Sequence, residues 1–215
     1  YATGHNTCYL EPHTGMAEPP MIINMESGGF QKISPNRFDV ALDAASEKKG
    51  EQRLEKMVAG RYLGELFGLA MAELLGEKGH TYHFTSVDLS RMLADVGEDA
   101  QLAATIVEAV TGKILPVEDA VRIRELARAI VVRSIRLIAA TFVGTLWQIT
   151  GAGEICPQHI AVDGSVYEKM PLVQEEMRRA FFELLGEDAA KVDTMLACGG
   201  SGLGAAIAAA MTERG

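Results

Sequence analysis

Four polar residues fall at positions where a fold could bring their side chains together. Asn6 precedes a β-prone run, and Glu26 follows a second one, so an antiparallel pairing of the two runs would place them at the same end of a hairpin. Gln52 and Glu55 are three residues apart in helical text and project from one helical turn. Carboxylates and amides together can hydrogen-bond several neighbouring hydroxyls, as in a sugar. The same residues also have a purely structural explanation. Asn6 would then be a turn residue, Glu26 a solvated residue at a strand end, and Gln52 and Glu55 solvated residues of a first helical turn.

A glycine cluster near the end of the sequence, LACGGSGLGAAIAAAM at 196–211, is a second candidate. It contains no lysine, arginine or acidic residue, but backbone N–H groups at a helix start attract phosphate without a side chain. Gly200 and Ser201 are its central residues. Close packing of a strand on a helix is the alternative explanation, and the turn DGSVY at 163–167 is explained by its geometry alone.

The remaining reactive residue types form no recognisable centre. His80 and His83 lie in polar text without a spaced carboxylate or cysteine partner, and the other histidines are isolated. Cys8, Cys156 and Cys198 are far apart and lack CxxC spacing, which favours neither a disulfide framework nor a zinc site. We therefore predict no metal site, and the cysteine usage indicates a reducing cytoplasm.

Composition narrows the class of protein further. The 215 residues are 48% hydrophobic, enough for one domain or most of a larger one, and the formal charge of −9 argues against a nucleic-acid partner. The arginines between 122 and 136 alternate with apolar residues and predict a solvated helix face. No uninterrupted apolar run reaches the length of a bilayer span, so no membrane segment is predicted. A start without methionine, directly in strand-like text, suggests a piece of a longer protein.

The elements that must position these residues are readable from periodicity and breakers. Residues 7–11 and 21–25 predict a hairpin around the loop EPHTGMAEPP, and helical text runs from Asp39 to about residue 150. Within it we predict a buried helix at 61–77 and further helices at 84–97, capped by Thr85 or Ser86, at 99–112 and at 117–148.

The last part of the chain predicts alternating strands and helices. We expect a buried strand at 159–163, an amphipathic helix at 168–186, a weaker strand at 191–197 and an alanine-rich helix at 203–213. The class is therefore α/β, with a hairpin and loop at 1–37, a helical region at 38–155 and a strand–helix–strand–helix unit at 156–215.

Taken in order, these segments resemble the hexokinase family. ATGHNTCYLE is similar to its GTGTNACYME, MIINMESGGFQ to INTEWGAFG, IAVDGSVYEKMP to GVDGSVYK.HP, and GGSGLGAA to DGSGKGAA. The stretch FDVALDAASEKKGEQRLEKMVAGRYLGEL follows the pattern S..NPG.Q.FEKM.SG.YLGE, and FTSVDLSRM is similar to F.T..LS.I. The order holds from residue 2 to 210 and is weakest at 76–155.

The resemblance implies the C-terminal part of the large domain of an ATP-dependent sugar kinase with an actin-like, ribonuclease-H-like fold, a short mixed sheet carrying a large helical insertion. It implies that Asn6, Glu26 and Glu55 bind the hydroxyls of glucose, with Gln52 beside them. It also implies nucleotide contacts for Thr3, Gly4, Ser90, Gly200 and Ser201. The activity would be Mg²⁺-assisted phosphoryl transfer from ATP to the 6-hydroxyl of a hexose in the cytoplasm.

Departures from the family pattern keep a second interpretation open. The family's DLGGTN-type phosphate loop and the aspartate base of its NDT segment match nothing in this chain, so we expect the chain alone to be inactive. Ser27 stands where the family has tryptophan, and Cys198, Gly199 and Leu203 replace the charged residues of the nucleotide loop. A non-catalytic, sugar-sensing relative is the alternative. Apolar surface left by the missing part predicts a sticky chain that could pair as a homodimer.

Overall fold

The computed structural model describes residues 1–11, 20–151 and 155–212. Most of the predicted hairpin loop, residues 12–19, therefore lies outside the described residues. The chain begins with an antiparallel hairpin of β1, Cys8–Glu11, and β2, Met21–Asn24. Cys8 pairs with Asn24 and Glu11 with Met21, as the β-prone text at 7–11 and 21–25 predicts. This register brings the residues before β1 and after β2 to one end of the hairpin.

The middle of the chain is helical, as predicted. A short 3₁₀ turn at Ser27–Gly29 leads into helices α1 to α6. Their bounds are Arg37–Ala45, Arg53–Val58, Gly60–Leu74, Ser86–Ala94, Gln101–Thr111 and Val117–Thr150. Capping boxes begin two of them: the side chain of Asn36 accepts from the backbone N–H of Asp39 before α1, and Thr85 does the same with Asp88 before α4.

The core forms where apolar faces of these helices meet. α3 is buried along most of its length, as the sequence predicts, and Leu63, Phe67 and Met71 are fully enclosed. The start of the chain is tied to this core, because the Tyr1 hydroxyl lies 2.6 Å from Ser134 Oγ on α6. Ser134 Oγ in turn donates to Val58 O at the end of α2 (2.7 Å). The segment before the hairpin is thereby fixed against α2 and α6.

The arginines of α6 hold neighbouring elements, which corrects the prediction of a solvated helix face. Arg133 forms a two-pronged ion pair with Asp39 of α1 (2.6 and 3.2 Å), and the Asp39 side chain is only 4% exposed. Arg124 donates to the backbone carbonyls of Asp95 (2.8 Å) and Gly97, and Arg136 pairs with Glu183. The arginines that alternate with apolar residues in α6 therefore contact adjacent elements as well as water.

α6 also contains an 18-residue window that is long and apolar enough, by length and composition alone, to cross a membrane. A search for uninterrupted apolar runs misses it, because such a window tolerates two charged residues. Val131, Ile135 and Ile138 on this helix are fully buried in the core. Packing against α2 to α5 and a further helix, Val173–Leu185, accounts for the apolar composition without a membrane.

The last part of the chain pairs two parallel strands. β3, Gln158–Val162, is followed by α7, Ser165–Lys169, then α8, Val173–Leu185, and a 3₁₀ turn at Gly186–Lys191. β4, Val192–Leu196, runs parallel to β3 with His159 opposite Asp193, and α9 spans Gly200–Thr212. The prediction of strands at 159–163 and 191–197 is thus confirmed.

Three details of this part differ from the sequence prediction. The single helix expected at 168–186 is split, because Pro171 lacks an N–H and forces Met170 into an extended conformation (ψ 123°). β3 is not a fully buried strand: of its residues only Val162 is buried, since the described residues add just one strand to its sheet. The closing helix begins at Gly200 instead of 203, so the glycine cluster forms its first turn.

Candidate functional site

The end of the hairpin carries a continuous chain of amide and carboxylate groups. Asn6 Nδ2 donates to Asn24 Oδ1 (2.7 Å), and Asn24 Nδ2 donates to Glu26 Oε1 (2.7 Å). Asn6 Oδ1 accepts from the backbone N–H groups of Thr7 (2.8 Å) and Ser27 (3.1 Å), which fixes its amide orientation. Asn6 and Glu26, both exposed, therefore lie together and open to solvent.

The first turn of α2 brings two more polar side chains to the same place. Glu55 Oε2 accepts from the backbone N–H of His5 (3.0 Å), the residue before Asn6. A Cβ added to Gly28 would lie 2.8 Å from Gln52 Oε1 and 3.1 Å from Glu55 Cβ, so the 3₁₀ turn touches both side chains. We call Asn6, Glu26, Gln52 and Glu55 the hairpin-end cluster. The convergence of these four residues follows from the hairpin register and the contact between the 3₁₀ turn and α2.

Two residues of the hairpin-end cluster have an unusual backbone conformation. Glu26 has φ 47° and ψ 43°, and Gln52 has φ 47° and ψ 44°, both in the left-handed region that side chains with a Cβ disfavour. Each directly precedes a helical turn, yet neither side chain caps it by a hydrogen bond. Among the described residues only two other non-glycine residues, Ala100 and Leu172, have positive φ. Such strain costs on the order of 1–3 kcal/mol and is concentrated at functional sites.

The loop before Gln52 is held by a buried cation. Lys56 of α2 is 4% exposed, and its Nζ donates to Asp43 Oδ1 (2.6 Å) and to the carbonyl of Lys48. The backbone N–H of Gly50 donates to both Asp43 carboxylate oxygens (3.0 and 2.9 Å). The hydrogen bond from Lys56 holds the pKa of Asp43 below its usual value. These hydrogen bonds therefore fix the loop before Gln52 against α2, which follows it.

His5 lies buried beneath the hairpin-end cluster, although sequence reasoning treated it as isolated. Its Nε2 is 3.3 Å from Ser27 Oγ and 3.5 Å from Thr141 Oγ1 of α6. In the described part of the chain its Nδ1 has no hydrogen-bond partner. Burial lowers the pKa of His5 to about 4, so the ring is neutral at pH 7.

A second group of residues lies where the first segment of the chain meets the carboxyl end of β3. Ala2 O accepts from the backbone N–H of Gly60 (2.8 Å), and the neighbouring Thr3 is exposed. A Cβ on Gly164 would lie 2.4 Å from Tyr1 O, so this segment passes directly over the turn after β3. Gly4 continues from Thr3 toward the hairpin-end cluster, and a Cβ there would lie 3.0 Å from Glu55 Oε2.

The start of α9 completes this second group. A Cβ on Gly200 would lie 3.8 Å from Asp163 Oδ2, so the first turn of α9 meets the carboxyl end of β3. Ligands of open α/β sheets bind at the carboxyl ends of parallel strands, and helix N-termini attract anions. We call Thr3, Gly4, Gly200 and Ser201 the strand-end cluster. Gly200 and Ser201 lie in the first turn of α9, next to the turn after β3. Thr3 and Gly4 follow directly on Tyr1 and Ala2, which contact that turn.

Ser90 lies apart from both clusters, on α4. Its hydroxyl donates to the carbonyl of Lys169 at the end of α7 (3.3 Å). Because α7 begins at Ser165, directly after the turn that contacts Tyr1, Ser90 reaches the strand-end cluster only through α7. The contact leaves the oxygen of this hydroxyl free to accept a further hydrogen bond.

The donors available at the strand-end cluster suit a phosphate better than a metal ion. Cβ atoms added to Gly202 and Gly204 would meet nothing within 4 Å, so a ligand can approach the backbone of this helix start closely. Within residues 1–11, 20–151 and 155–212, no group of three or more His, Cys, Asp and Glu residues could hold a metal ion. A Mg²⁺ ion at this position would be held chiefly by phosphate oxygens and water, as is usual for this ion.

Sequence reasoning missed three residues of these sites. Asn24 joins Asn6 to Glu26, and its position at the end of β2, paired with Cys8 near Asn6, is a signal for this contact. Asp163 follows a parallel strand at its carboxyl end, a position that favours ligand contact. His5 offered no such signal, because its burial depends on α6, which is far away in sequence.

Comparisons with known proteins identify the family of this chain. The family model for hexokinases matches residues 1–211. Hexokinase-1 of Oryza sativa subsp. japonica is 33% identical over 235 residues, covering 97% of this chain and 47% of that protein. Hexokinase-1 of Schizosaccharomyces pombe is 30% identical and is matched by the whole chain over 49% of its length. The chain thus spans about half the length of these curated relatives.

Solved structures show the same likeness. One described as a crystal structure of hexokinase aligns with a TM-score of 0.76 and 28% identity over 91% of this chain and 45% of that one. Hexokinase from Schistosoma mansoni complexed with glucose aligns with a TM-score of 0.75 and 23% identity, covering 91% of this chain and 48% of that one. The predicted α/β class and actin-like sugar kinase fold are therefore confirmed. The chain belongs to the hexokinase family.

Proposed function

We propose that the intact protein transfers the γ-phosphoryl group of ATP to the 6-hydroxyl of a hexose. The observation that carries this proposal is the convergence of Asn6, Glu26, Gln52 and Glu55 at the end of the hairpin, with Asn6 bridged to Glu26 through Asn24. Glucose, the sugar bound in the Schistosoma mansoni structure, is the first substrate to test.

The hairpin-end cluster has the chemistry that a hexose requires. The carboxylates of Glu26 and Glu55 accept hydrogen bonds from hydroxyl groups, and the amide of Gln52 can both donate and accept. Glu55 is oriented by the backbone N–H of His5 (3.0 Å), and the backbone of Gln52 is fixed by its strained turn. Preorganised partners of this kind position the acceptor hydroxyl for transfer.

The strand-end cluster is the proposed nucleotide side. Thr3 would contact the phosphates of ATP, and Gly4, Gly200 and Ser201 would lie against the nucleotide. Ser90 would add a contact from α4. When bound with the nucleotide, Mg²⁺ neutralises charge on the transferring phosphoryl group. The residues of this chain bind and orient; no residue in it matches the family's aspartate base. We therefore expect this chain by itself to show no turnover, and any turnover by the isolated chain in an ADP-release assay would contradict this.

A sugar-sensing, non-catalytic protein is the second candidate. It is favoured by the uncharged strand-end region, where Cys198 and Leu203 replace the family's charged residues and Leu203 is 65% exposed. Loss of the basic side chain at position 203 weakens the side-chain attraction for the phosphates of ATP but leaves the hairpin-end cluster intact. Such a protein would bind glucose without releasing ADP.

The test of the proposed function is an ADP-release assay on the intact protein with glucose and Mg²⁺-ATP. Glu26→Ala and Glu55→Ala should each lower kcat/KM for glucose by about ten- to hundredfold, because a hydroxyl group of the bound sugar would lose its hydrogen-bond partner. Glu47→Ala is the matched control, since Glu47 is exposed in the loop between α1 and α2. Unchanged kinetics in both variants would refute the assignment, and glucose binding without turnover would favour the sensor.

A further inference from the structure

His5 connects the two acidic residues of the hairpin-end cluster through different atoms. Its backbone N–H donates to Glu55 Oε2 (3.0 Å), so the main chain orients that carboxylate. Its ring Nε2 lies 3.3 Å from Ser27 Oγ, and Ser27 is the residue that directly follows Glu26. One residue therefore contacts both Glu55 and the turn that carries Glu26.

The 3₁₀ turn after Glu26 lies against His5 at a second point as well. A Cβ added to Gly28 would lie 2.8 Å from His5 O, so the turn is already in close contact with the His5 backbone. The His5 ring also lies 3.5 Å from Thr141 Oγ1 of α6, and only 5% of His5 is exposed. The ring is thus enclosed by the turn that carries Glu26 and by α6.

The hydrogen bonds of Thr141 determine which ring nitrogen of His5 carries the proton. Thr141 Oγ1 donates its single proton to Ile138 O (2.7 Å), so toward His5 it can only accept. The His5 ring is neutral at pH 7, since burial lowers its pKa to about 4. A proton on Nε2 lets the ring donate to Ser27 Oγ and Thr141 Oγ1. A proton on Nδ1 would leave the ring's only N–H buried and without a partner among the described residues.

His5 and Ser27 are also positions at which this chain departs from the family motifs. In ATGHNTCYLE, His5 stands where GTGTNACYME has threonine, and in MIINMESGGFQ, Ser27 stands where INTEWGAFG has tryptophan. The structure brings these two replacements into contact, with the larger side chain at position 5 and the smaller one at position 27. The residues of the family motifs cannot form this histidine–serine contact.

We infer that His5 is a positioning residue of the sugar site, whose Nε2–H group holds Ser27, and with it the turn of Glu26, in place relative to Glu55. Glu26 has a left-handed backbone (φ 47°), which this contact helps to enforce. His5 acts through Ser27 and Glu26 and need not touch the sugar. The inference rests on the proposed function, because it requires a hexose bound by the two carboxylates.

Three variants separate the N–H donor of His5 from the space that its ring fills. His5→Leu removes the donor and keeps a side chain of similar size. His5→Gln keeps an N–H donor near the position of Nε2. Ser27→Ala removes the acceptor, at a residue that is only partly buried. His83→Leu is the matched control, since His83 is exposed in the loop before α4.

The first experiment measures the dissociation constant for glucose by calorimetry on the intact protein. His5→Leu and Ser27→Ala should each weaken glucose binding by about three- to tenfold, because the turn of Glu26 loses one hydrogen bond that holds it. His5→Gln and His83→Leu should stay within about twofold of the wild type. His5→Leu combined with Ser27→Ala should bind glucose about as tightly as His5→Leu alone, since both changes remove the same contact.

The second experiment tests the proton position in the absence of sugar. Nitrogen-15 NMR spectra of the imidazole groups of the intact protein at pH 7 should show the His5 proton on Nε2. The His5 signals are assigned by their loss in His5→Gln. A proton on Nδ1 would overturn the donation from His5 to Ser27, and with it the inference.

The binding outcomes separate the inference from the proposed function. If the losses in His5→Leu and Ser27→Ala multiply in the double variant, or if His5→Gln weakens glucose binding as much as His5→Leu does, the ring only fills space. The inference is then overturned while the proposed function stands. Unchanged glucose binding in Ser27→Ala overturns the inference by itself, even if His5→Leu does not fold. If the wild type binds no glucose, the proposed function fails and the inference fails with it.

Discussion

The hairpin-end cluster and the strand-end cluster present ligand partners in different ways. The first offers side chains whose positions are fixed by hydrogen bonds, a strained backbone and the buried Lys56. The second offers backbone N–H groups at the start of α9, a helix whose Leu203 and Ile207 are 65% and 53% exposed. This chain is therefore preorganised on the proposed sugar side and loosely supported on the proposed nucleotide side.

The largest expected effect on this comparison comes from Lys56. Lys56→Met removes one partner of a largely buried ion pair and leaves Asp43 with only the Gly50 N–H, at a cost of about 3 kcal/mol in the free energy of unfolding. The loop carrying Gln52 should loosen, so KM for glucose should rise. Urea unfolding of the intact protein measures the first effect, and glucose kinetics measure the second.

Lys49→Met is the control for that variant, because Lys49 is exposed in the same loop. Its stability should remain within about 0.5 kcal/mol of the wild type. Equal stability of the two variants would show that the buried pair does not hold the hairpin-end cluster.

The next effect depends on pH and comes from His5. Its pKa is lowered from 6.5 to about 4 in the folded protein, so the unfolded chain takes up the proton first as the pH falls. The neutral ring's contribution is fully present above pH 6.5, declines between 6.5 and about 4, and levels below that. The difference between the two pKa values corresponds to a change of about 3 kcal/mol in the free energy of unfolding across this pH range.

His5→Gln should remove this part of the pH dependence, because glutamine does not titrate. Urea midpoints of both proteins at pH 7, 5.5 and 4.5 provide the measurement, and the wild type should lose more stability toward the acid side. Parallel declines in wild type and variant would mean that His5 is not buried as a neutral ring.

The smallest effects come from the same substitution placed in the two regions. Gly28→Ala puts a Cβ 2.8 Å from the carbonyl oxygen of His5, which cannot move as a side chain can, and should destabilise by about 1–3 kcal/mol. Gly202→Ala meets nothing within 4 Å on α9 and should stabilise by up to about 1 kcal/mol. Thermal unfolding of both variants checks the opposite signs. If Gly202→Ala lost as much stability as Gly28→Ala, the two regions would not differ in how closely they are packed, contrary to this account.

Much of this architecture was predictable from the sequence, and the failures have identifiable causes. The hairpin, the long helix α6 and the parallel strands follow from periodicity and breakers, and the convergence of Asn6 with Glu26 follows from the hairpin register. The left-handed backbone of Glu26 and Gln52 was not predictable, because local propensity disfavours it and only tertiary contacts enforce it.

Other misses share that tertiary origin. The burial of His5 depends on Thr141, which is 136 residues away in sequence, so no local pattern reports it. The break at Pro171 was different, since the proline itself was a visible signal that the apolar periodicity on either side obscured. The roles assigned to the individual site residues came from the family resemblance and stay predictions.

The most direct test of the account is the pair of dissociation constants, for glucose and for a non-hydrolysable ATP analogue, measured on the intact protein carrying Glu55→Gln. The account predicts that glucose binding weakens by about ten- to hundredfold, since one charged acceptor is lost, while the nucleotide constant changes less than about twofold. Equal affinity for glucose in variant and wild type, or an equal loss for both ligands, would contradict a sugar site at the end of the hairpin.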